Sequence, residues 1–212
     1  MSTRDTMAAR IANELARDDL TTEIVEAINT AIAAYEDERW SFNESRTETF
    51  ATVQGQEFYG EGLGFDAIAR LIKVDYIAIA VGNTVSKLCR RDPEALEYAS
   101  QSGTSTGDPY VWSWYANQIR LYPVPITAGR TVRVAGIYRV AAPATGSETG
   151  NPWMIEGERL IRARAKWELY TNLLFDYEAA DRLMPQIQDA VAQMDRRRSK
   201  KQGTGIIEAF SL

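Results

Sequence analysis

The chain of 212 residues contains no histidine and a single cysteine, Cys89. Histidine takes part in Ser-His-Asp triads, Cys-His pairs and most zinc sites, so its absence excludes these classes of active centre. A lone cysteine cannot form an intrachain disulfide, which fits synthesis in a reducing cytoplasm. Because Cys89 follows Leu88 in an apolar-alternating segment, we expect it to be a buried packing thiol and not a nucleophile.

Long apolar runs are absent as well. No uninterrupted apolar stretch approaches the ~20 residues of a membrane-spanning helix, and the acidic N-terminal segment lacks the apolar core of a signal peptide. We therefore expect a soluble protein with no membrane partner. The net charge of −5 argues against a surface that grips nucleic acid, since such surfaces neutralise phosphates with clustered Lys and Arg.

The residues that are present predict an α+β fold. The composition, 45% hydrophobic and 25% charged, is that of a globular protein, and helical periodicity near both ends gives way to β-branched and aromatic segments between. We predict helices over residues 5–17, 22–40, 93–99, 152–177 and 181–201, with a break or kink near Pro185, around a β-rich middle at 45–140. This order indicates a helical bundle, made of an N-terminal helix pair and two long C-terminal helices, with a central, mainly antiparallel β element.

Local turn and cap signals locate several of these elements. Gly82-Asn83 separates two apolar-rich runs and predicts a two-residue type II′ hairpin, because glycine adopts the positive φ of its first central position. A second hairpin is predicted to turn near Ala116-Asn117. In Asp92-Pro93 and Asn151-Pro152 a capping side chain precedes a first-turn proline, which predicts a helix start at each site.

Two patterns leave other functions open. Asp75, Glu94 and Glu97 could converge on magnesium, as in a carboxylate-dependent nuclease, although solvated surface is the simpler interpretation of such acids. Six aromatic residues could stack on single-stranded nucleic acid in a binding or packaging-accessory module, although core packing is favoured. These six are Phe58, Tyr59, Tyr110, Trp112, Trp114 and Tyr115. We predict no cofactor, no metal site and no catalytic residue.

The C-terminal segment carries the strongest functional signal. A basic run ends the last predicted helix, two glycines follow, and an apolar strip comes after them. Cations at a helix C-terminus complement its dipole, but a free monomer could not easily shield the apolar strip. We therefore assign residues 1–202 to a folded body and 203–212 to an extended docking tail that joins a partner's sheet edge or groove. The predicted partner-binding residues are Arg196, Arg197, Arg198, Lys200, Lys201, Gly203, Gly205, Ile206, Ile207, Phe210 and Leu212.

Short segments in a fixed order carry a family resemblance along nearly the whole chain. They include Glu38-Arg39-Trp40-Ser41-Phe42-Asn43-Glu44, Thr52-Val53-Gln54-Gly55-Gln56-Glu57-Phe58-Tyr59, Val74-Asp75, Pro109-Tyr110, Ile119-Arg120-Leu121-Tyr122-Pro123-Val124-Pro125, Gly136-Ile137-Tyr138 and the helices that begin at Trp153. In this order they resemble the head-to-tail adaptor (connector) proteins of tailed bacteriophages, especially those with short tails.

The resemblance implies a structural virion protein that catalyses nothing. It implies a ring of subunits, twelvefold by expectation, that lies under the portal at the portal–tail junction and extends the DNA channel. Its partners would be the portal protein, other copies of itself and tail proteins of the nozzle, tail tube or fibre, with DNA only as passing cargo. The C-terminal segment would reach along the portal.

Overall fold

The computed structural model describes residues 2–100, 103 and 105–201. These residues form two compact units: a β unit, 43–139, and a helical unit made of the described residues of 1–42 and 140–212. Most of the helices and the mostly antiparallel strands occupy separate parts of the chain, which confirms the α+β class. The division into a body, 1–202, and a tail, 203–212, stays a prediction because 202–212 lie outside the described residues.

The elements follow the predicted order of helices, strands and helices. The helices are α1 (Arg4–Leu15), α2 (Thr21–Ala33), α3 (Pro93–Ser100), α4 (Pro152–Ile155), α5 (Glu158–Asn172) and α6 (Tyr177–Lys201), with a 3-10 turn at Asp66–Arg70. The strands are β1 (Glu44–Ala51), β2 (Phe58–Tyr59), β3 (Leu71–Val81), β4 (Thr84–Lys87), β5 (Cys89–Arg90), β6 (Thr106–Gly107), β7 (Val111–Tyr115), β8 (Gln118–Tyr122), β9 (Val124–Pro125) and β10 (Thr131–Tyr138).

The helical unit is a bundle held by apolar faces that recur every three to four residues. Ile24, Ile28 and Ile32 of α2 are buried against residues of α1, α5 and α6. Two tryptophans complete this core and satisfy their indole N–H groups on backbone carbonyls: Trp40 donates to Tyr35 at 2.9 Å and Trp153 to Val140 at 2.8 Å. Buried tryptophans require such partners, so these bonds also fix the chain segments that enter and leave the bundle.

The predicted helices 22–40 and 152–177 differ most from the observed ones, and α6 begins four residues before the predicted residue 181. α2 ends at Ala33 and not near residue 40, because the chain folds back so that Trp40 can bond to the Tyr35 carbonyl. The segment 152–177 divides into α4 and α5 around Gly157, and Phe175, at a φ of 53°, stands in the connection to α6.

Of the predicted break or kink near Pro185, the break does not occur, because α6 continues through the proline; the kink stays a prediction. The proline costs about 3 kcal/mol locally. The buried face formed by Leu183, Ile187, Ala190 and Met194 outweighs that cost by packing the helix on both sides of the proline.

The β unit contains two four-stranded sheets and one two-stranded pair. The first sheet has the order β1-β10-β3-β4 and is antiparallel throughout, the second has the order β2-β8-β7-β5, and β6 pairs with β9. One apolar core lies within this unit and includes Ile77, Ile79, Trp112, Leu121 and Val132. The strands β1 and β2, adjacent in sequence, join different sheets, because β1 pairs with β10 and β2 with β8.

Both predicted hairpins are confirmed. Val81 pairs with Thr84 across Gly82-Asn83, and Gly82 has a φ of 59° while Asn83 keeps a negative φ, as a type II′ turn requires. Tyr115 pairs with Gln118 across Ala116-Asn117, whose φ values of 50° and 57° are those of a type I′ turn.

The expectation that Cys89 is buried is wrong, because its side chain is exposed. Leu88 is buried, and its N–H donates to the Ile77 carbonyl at 2.8 Å. Successive side chains of a strand point to opposite sides, so the residue after a buried Leu88 turns outward. Cys89 also lies on β5, an edge strand of its sheet, where no described neighbour covers it.

Candidate partner-docking surfaces

The predicted basic run forms the last turns of α6. Arg196, Arg197 and Lys200 are exposed there, and Arg198 is half-buried. Of the remaining predicted docking residues, the side chain of Lys201 and all of Gly203, Gly205, Ile206, Ile207, Phe210 and Leu212 lie outside the described residues. The docking role of the whole segment therefore stays a prediction.

Two arginines of this run contact the helical unit itself. Arg198 donates from Nη1 to the carbonyl of Arg39 at 3.1 Å, and Arg197 donates from Nη1 to the carbonyl of Glu156 at 3.3 Å. Arg198 also pairs with Asp195 at 3.4 Å. The Glu156 carbonyl follows the end of α4, where carbonyls lack intrahelical donors, and the Arg39 carbonyl lies in the loop after α2, so each guanidinium supplies a donor to a carbonyl outside a regular helix. These two side chains hold the end of α6 against its own unit.

Two further cations of the run, Arg196 and Lys200, are exposed. Arg196 and Lys200 are four residues apart and therefore share one helical face. A concave surface of about 230 Å³ adjoins the run and is lined in part by Arg197, Met194 and Ile155, whose side chain is 53% exposed. Glu156, Glu158, Arg159 and Gln193 also line this surface, so most of it is polar and it carries charges of both signs.

The carboxylates considered for magnesium do not converge. No group of three or more His, Cys, Asp or Glu side chains that could hold a metal ion occurs among residues 2–100, 103 and 105–201. Glu97 instead receives a hydrogen bond from Nη1 of Arg120 at 2.8 Å. Glu97, one of the three residues considered for a metal site, is therefore part of an ion pair with Arg120.

The aromatic residues considered for base stacking do not form one exposed platform. Tyr59 and Trp112 are buried, and the Tyr59 hydroxyl accepts from the Val53 N–H at 3.0 Å. Burial raises the pKa of Tyr59. Tyr110 and Tyr115 are 61% and 73% exposed, but they flank opposite ends of β7, about 16 Å apart at the rise of a strand.

Arg120 is a buried charge that sequence patterns did not single out. Its side chain is 6% exposed, and its Nε donates to Glu57 at 2.5 Å. Nη2 donates to the Ser100 hydroxyl at 3.1 Å, and the guanidinium lies 5.4 Å from the centre of the Phe58 ring. Arg120 thereby ties α3 and the start of β2 to β8. The one sequence signal for the burial of Arg120 was its place between two apolar residues, Ile119 and Leu121.

Comparison with known proteins decides the family. The sequence model of the SU10 adaptor protein family matches residues 2–206. The chain belongs to this family. The match confirms the resemblance to phage head-to-tail adaptors and implies a structural, non-enzymatic protein of the virion. No curated protein matches the chain.

The helices of the adaptor give no sign of a membrane span. Within the described part of the chain, none combines the length and the apolar character needed to cross a bilayer.

A second candidate surface of the adaptor lies along β4 and β5. These strands are edges of the two four-stranded sheets and are joined through Leu88. A concave surface of about 600 Å³ lies beside them and is lined by Lys87, Arg90 and Arg91 together with Asp75, Tyr76 and Trp112. Lys87 Nζ lies 5.5 Å from the centre of the Tyr76 ring, and the Arg90 guanidinium lies 5.5 Å from that of Trp112. Aromatic faces stabilise cations held in this way, so this basic edge is an ordered surface.

Proposed function

We propose that this adaptor forms a ring, twelvefold in symmetry, under the portal of a tailed bacteriophage. The ring extends the DNA channel and provides the platform to which nozzle, tail-tube or fibre proteins attach. The match of the adaptor family to residues 2–206 carries this proposal, because it spans both structural units and the basic end of α6.

The portal contact is assigned to the end of α6 and the segment that follows it. Arg197 and Arg198 fix the helix end to the helical unit, whereas Arg196 and Lys200 are exposed. An anchored helix end reduces the entropic cost of presenting a docking segment. The apolar residues of 206–212 supply the area that a partner groove would bury.

DNA is proposed as cargo that passes through the ring without specific contact. The net charge of −5 supports this role, because an acidic conduit does not hold a polyanion. A packaging-accessory module would instead bind DNA with an affinity that falls steeply with salt concentration. A magnesium-dependent nuclease would show metal-dependent turnover that Asp75→Ala abolishes.

Removal of residues 203–212 tests the portal contact. We expect the truncated protein to fold, with an unchanged circular dichroism spectrum, and to lose binding to its purified cognate portal in size-exclusion chromatography with mass measurement. Wild-type binding by the truncated protein would exclude the docking role of the tail.

Charge reversal distinguishes the effect of the two exposed cations on portal binding from the effect of the net charge of α6. Arg196→Glu with Lys200→Glu is expected to weaken portal binding at least tenfold. The matched comparison is between the single variants Arg196→Glu and Arg182→Glu, which change the charge equally on the same helix; the exposed Arg182 side chain pairs with Glu178. Equal effects of the two changes on portal affinity would show that net charge, and not this face of the helix, governs binding.

A further inference from the structure

Both edges of the four-stranded antiparallel sheet of the β unit are open. Among residues 2–100, 103 and 105–201, no strand pairs with the outer side of β1 or of β4. An open edge presents unpaired N–H and C=O groups, which natural proteins usually cover, shorten or use for pairing. On β4 the apolar side chain of Val85 is 58% exposed. Charged side chains therefore do not cover this edge along its whole length.

The hydrogen-bonding direction of each edge residue follows from bonds inside the sheet. The Leu88 N–H donates inward to Ile77, and the Thr52 N–H donates inward to Arg130 at 2.9 Å. Backbone groups of alternate residues along an antiparallel strand point to opposite sides. The N–H and C=O groups of Val85 and Lys87 therefore point outward from β4, and those of Ala51 and Thr49 point outward from β1.

The number of strands sets the direction in which another copy could pair. The strands β1, β10, β3 and β4 alternate in direction, so β4 runs opposite to β1. Rotation about a ring axis that lies along the strands preserves strand direction. A rotated copy would thus bring its β1 alongside β4 with the two strands antiparallel. A sheet with an odd number of strands would instead give a parallel junction.

The register inside the sheet predicts which residues would face each other. Ala51 pairs with Thr131, and Ala80 pairs with Val85. Because Val132 pairs with Ile79, Thr131 stands across from Ala80. Ala51 and Val85 are therefore the two ends of one row across the sheet. A rotation has no translation along its axis, so it brings Ala51 of the next copy to the level of Val85.

Charge favours the same pairing. β4 carries one cation, Lys87, and no acid. β1 carries two acids, Glu44 and Glu48, and one cation. Opposite charges on facing edges favour a contact between different edges over a contact between two copies of β4, which would bring like charges together.

We propose that β4 of one adaptor pairs antiparallel with β1 of a second copy, with Val85 opposite Ala51 and Lys87 opposite Thr49. This contact joins different surfaces of the two copies and can propagate into a closed ring. The outward groups of these residues would form about four backbone hydrogen bonds at each junction. The inference rests on the proposed ring and specifies how its sheets are joined.

Disulfide cross-linking tests the register. Cys89 is the single cysteine, so Cys89→Ser gives a cysteine-free background. In that background, Ala51→Cys with Val85→Cys places thiols at an expected Cα separation of ~5.5 Å across the junction, within the range of a disulfide. Within one chain the two positions are three strand spacings apart, about 14 Å, which is too far. Oxidation of portal-assembled protein is expected to give a ladder of covalent oligomers on a denaturing gel.

Three controls make each outcome informative. Each single-cysteine variant is expected to stay monomeric on the gel, and covalent dimers of Val85→Cys alone would overturn the inference in favour of a two-fold contact. Thr49→Cys with Val85→Cys is displaced by two residues, at an expected ~7–8 Å, and should cross-link weakly.

If the mass shows a ring but the first pair does not cross-link, the inference is wrong while the proposed ring stands. If no ring forms on the portal, the proposed function fails and the inference fails with it.

A proline at the outward position gives a second, independent test. Because the Val85 N–H points away from β3, Val85→Pro removes no hydrogen bond within the chain but blocks the neighbour. We expect an unchanged near-ultraviolet circular dichroism spectrum and loss of ring assembly, whereas Val85→Thr, which keeps the N–H, assembles. Normal assembly of a folded Val85→Pro protein would exclude the pairing.

Discussion

Removing the buried guanidinium of Arg120 tests what holds the β unit together. The side chain is 6% exposed and contacts elements far apart in sequence: Glu57 before β2, and Glu97 and Ser100 of α3. Methionine keeps most of the volume of the arginine stem while it deletes the charge. Arg120→Met therefore isolates the ion pairs and hydrogen bonds from simple loss of packing.

The expected cost follows from the exposure of the carboxylates left behind. Breaking a buried ion pair by removing one partner costs about 3–5 kcal/mol, because the other charge stays desolvated. Glu57 is 20% exposed and remains partly desolvated, whereas Glu97 is 66% exposed and regains water. The second pair therefore contributes little. We expect Arg120→Met to lower the free energy of unfolding of the β unit by about 2–3 kcal/mol.

The assay must resolve the β unit from the helical unit. Hydrogen exchange monitored by mass spectrometry reports the free energy of opening segment by segment, so peptides from β7, β8 and α3 should lose protection while those from α2 and α5 keep it. Adding Glu57→Gln to Arg120→Met removes the stranded charge and is expected to restore part of the loss. A change below about 0.5 kcal/mol in Arg120→Met would refute the reasoning, because the pairs would then behave as solvent-exposed ones.

Three other perturbations follow from single contacts. Burial raises the pKa of Tyr59, so the folded protein favours its neutral form. The resulting stabilisation is complete below the ordinary tyrosine pKa of about 10 and is lost as the pH rises through the raised pKa of the folded state. Tyr59→Phe should therefore flatten the alkaline loss of stability in urea titrations, and an unchanged slope would contradict this. A Cβ at Gly136 would lie 2.1 Å from the Lys73 carbonyl oxygen, so Gly136→Ala should cost at least about 2 kcal/mol, and a wild-type melting temperature would argue against it. Ile28 is fully buried in the helical unit, so Ile28→Ala should cost about 2–5 kcal/mol in thermal or urea unfolding, and a loss no larger than that of an exposed α2 position would count against this packing.

Features governed by neighbouring residues could be predicted from the sequence. Asn151 accepts from the Trp153 N–H at 3.1 Å, and Asp92 accepts from the Glu94 N–H at 2.9 Å, as the cap-and-proline signatures predicted. The two hairpins turn where Gly82 and Asn117 indicated. Each of these signals depends on φ preferences or hydrogen bonds within about four residues, so local sequence contains all the information needed.

Features that depend on distant partners could not be predicted. Cys89 occupies an apolar-looking segment, yet it is exposed because its strand is the edge of a sheet. Arg120 is buried because Glu57 and Glu97, 63 and 23 residues away in sequence, converge on it. Arg197 and Arg198 are predicted partner-binding residues, and the sequence did not reveal that they contact carbonyls 41 and 159 residues away in sequence. No pattern in a short window distinguishes these environments.

The basic end of α6 shows how the two sources of information divide. The sequence by itself determined that cations end the last helix and that an apolar segment follows, because composition and helical periodicity are local properties. Only the tertiary structure decided that Arg197 and Arg198 anchor the helix end, and that Arg196 and Lys200 remain exposed. Likewise, the strand propensities of residues 44–51 and 84–87 are written in the sequence, whereas their place at opposite edges of one sheet results from long-range pairing.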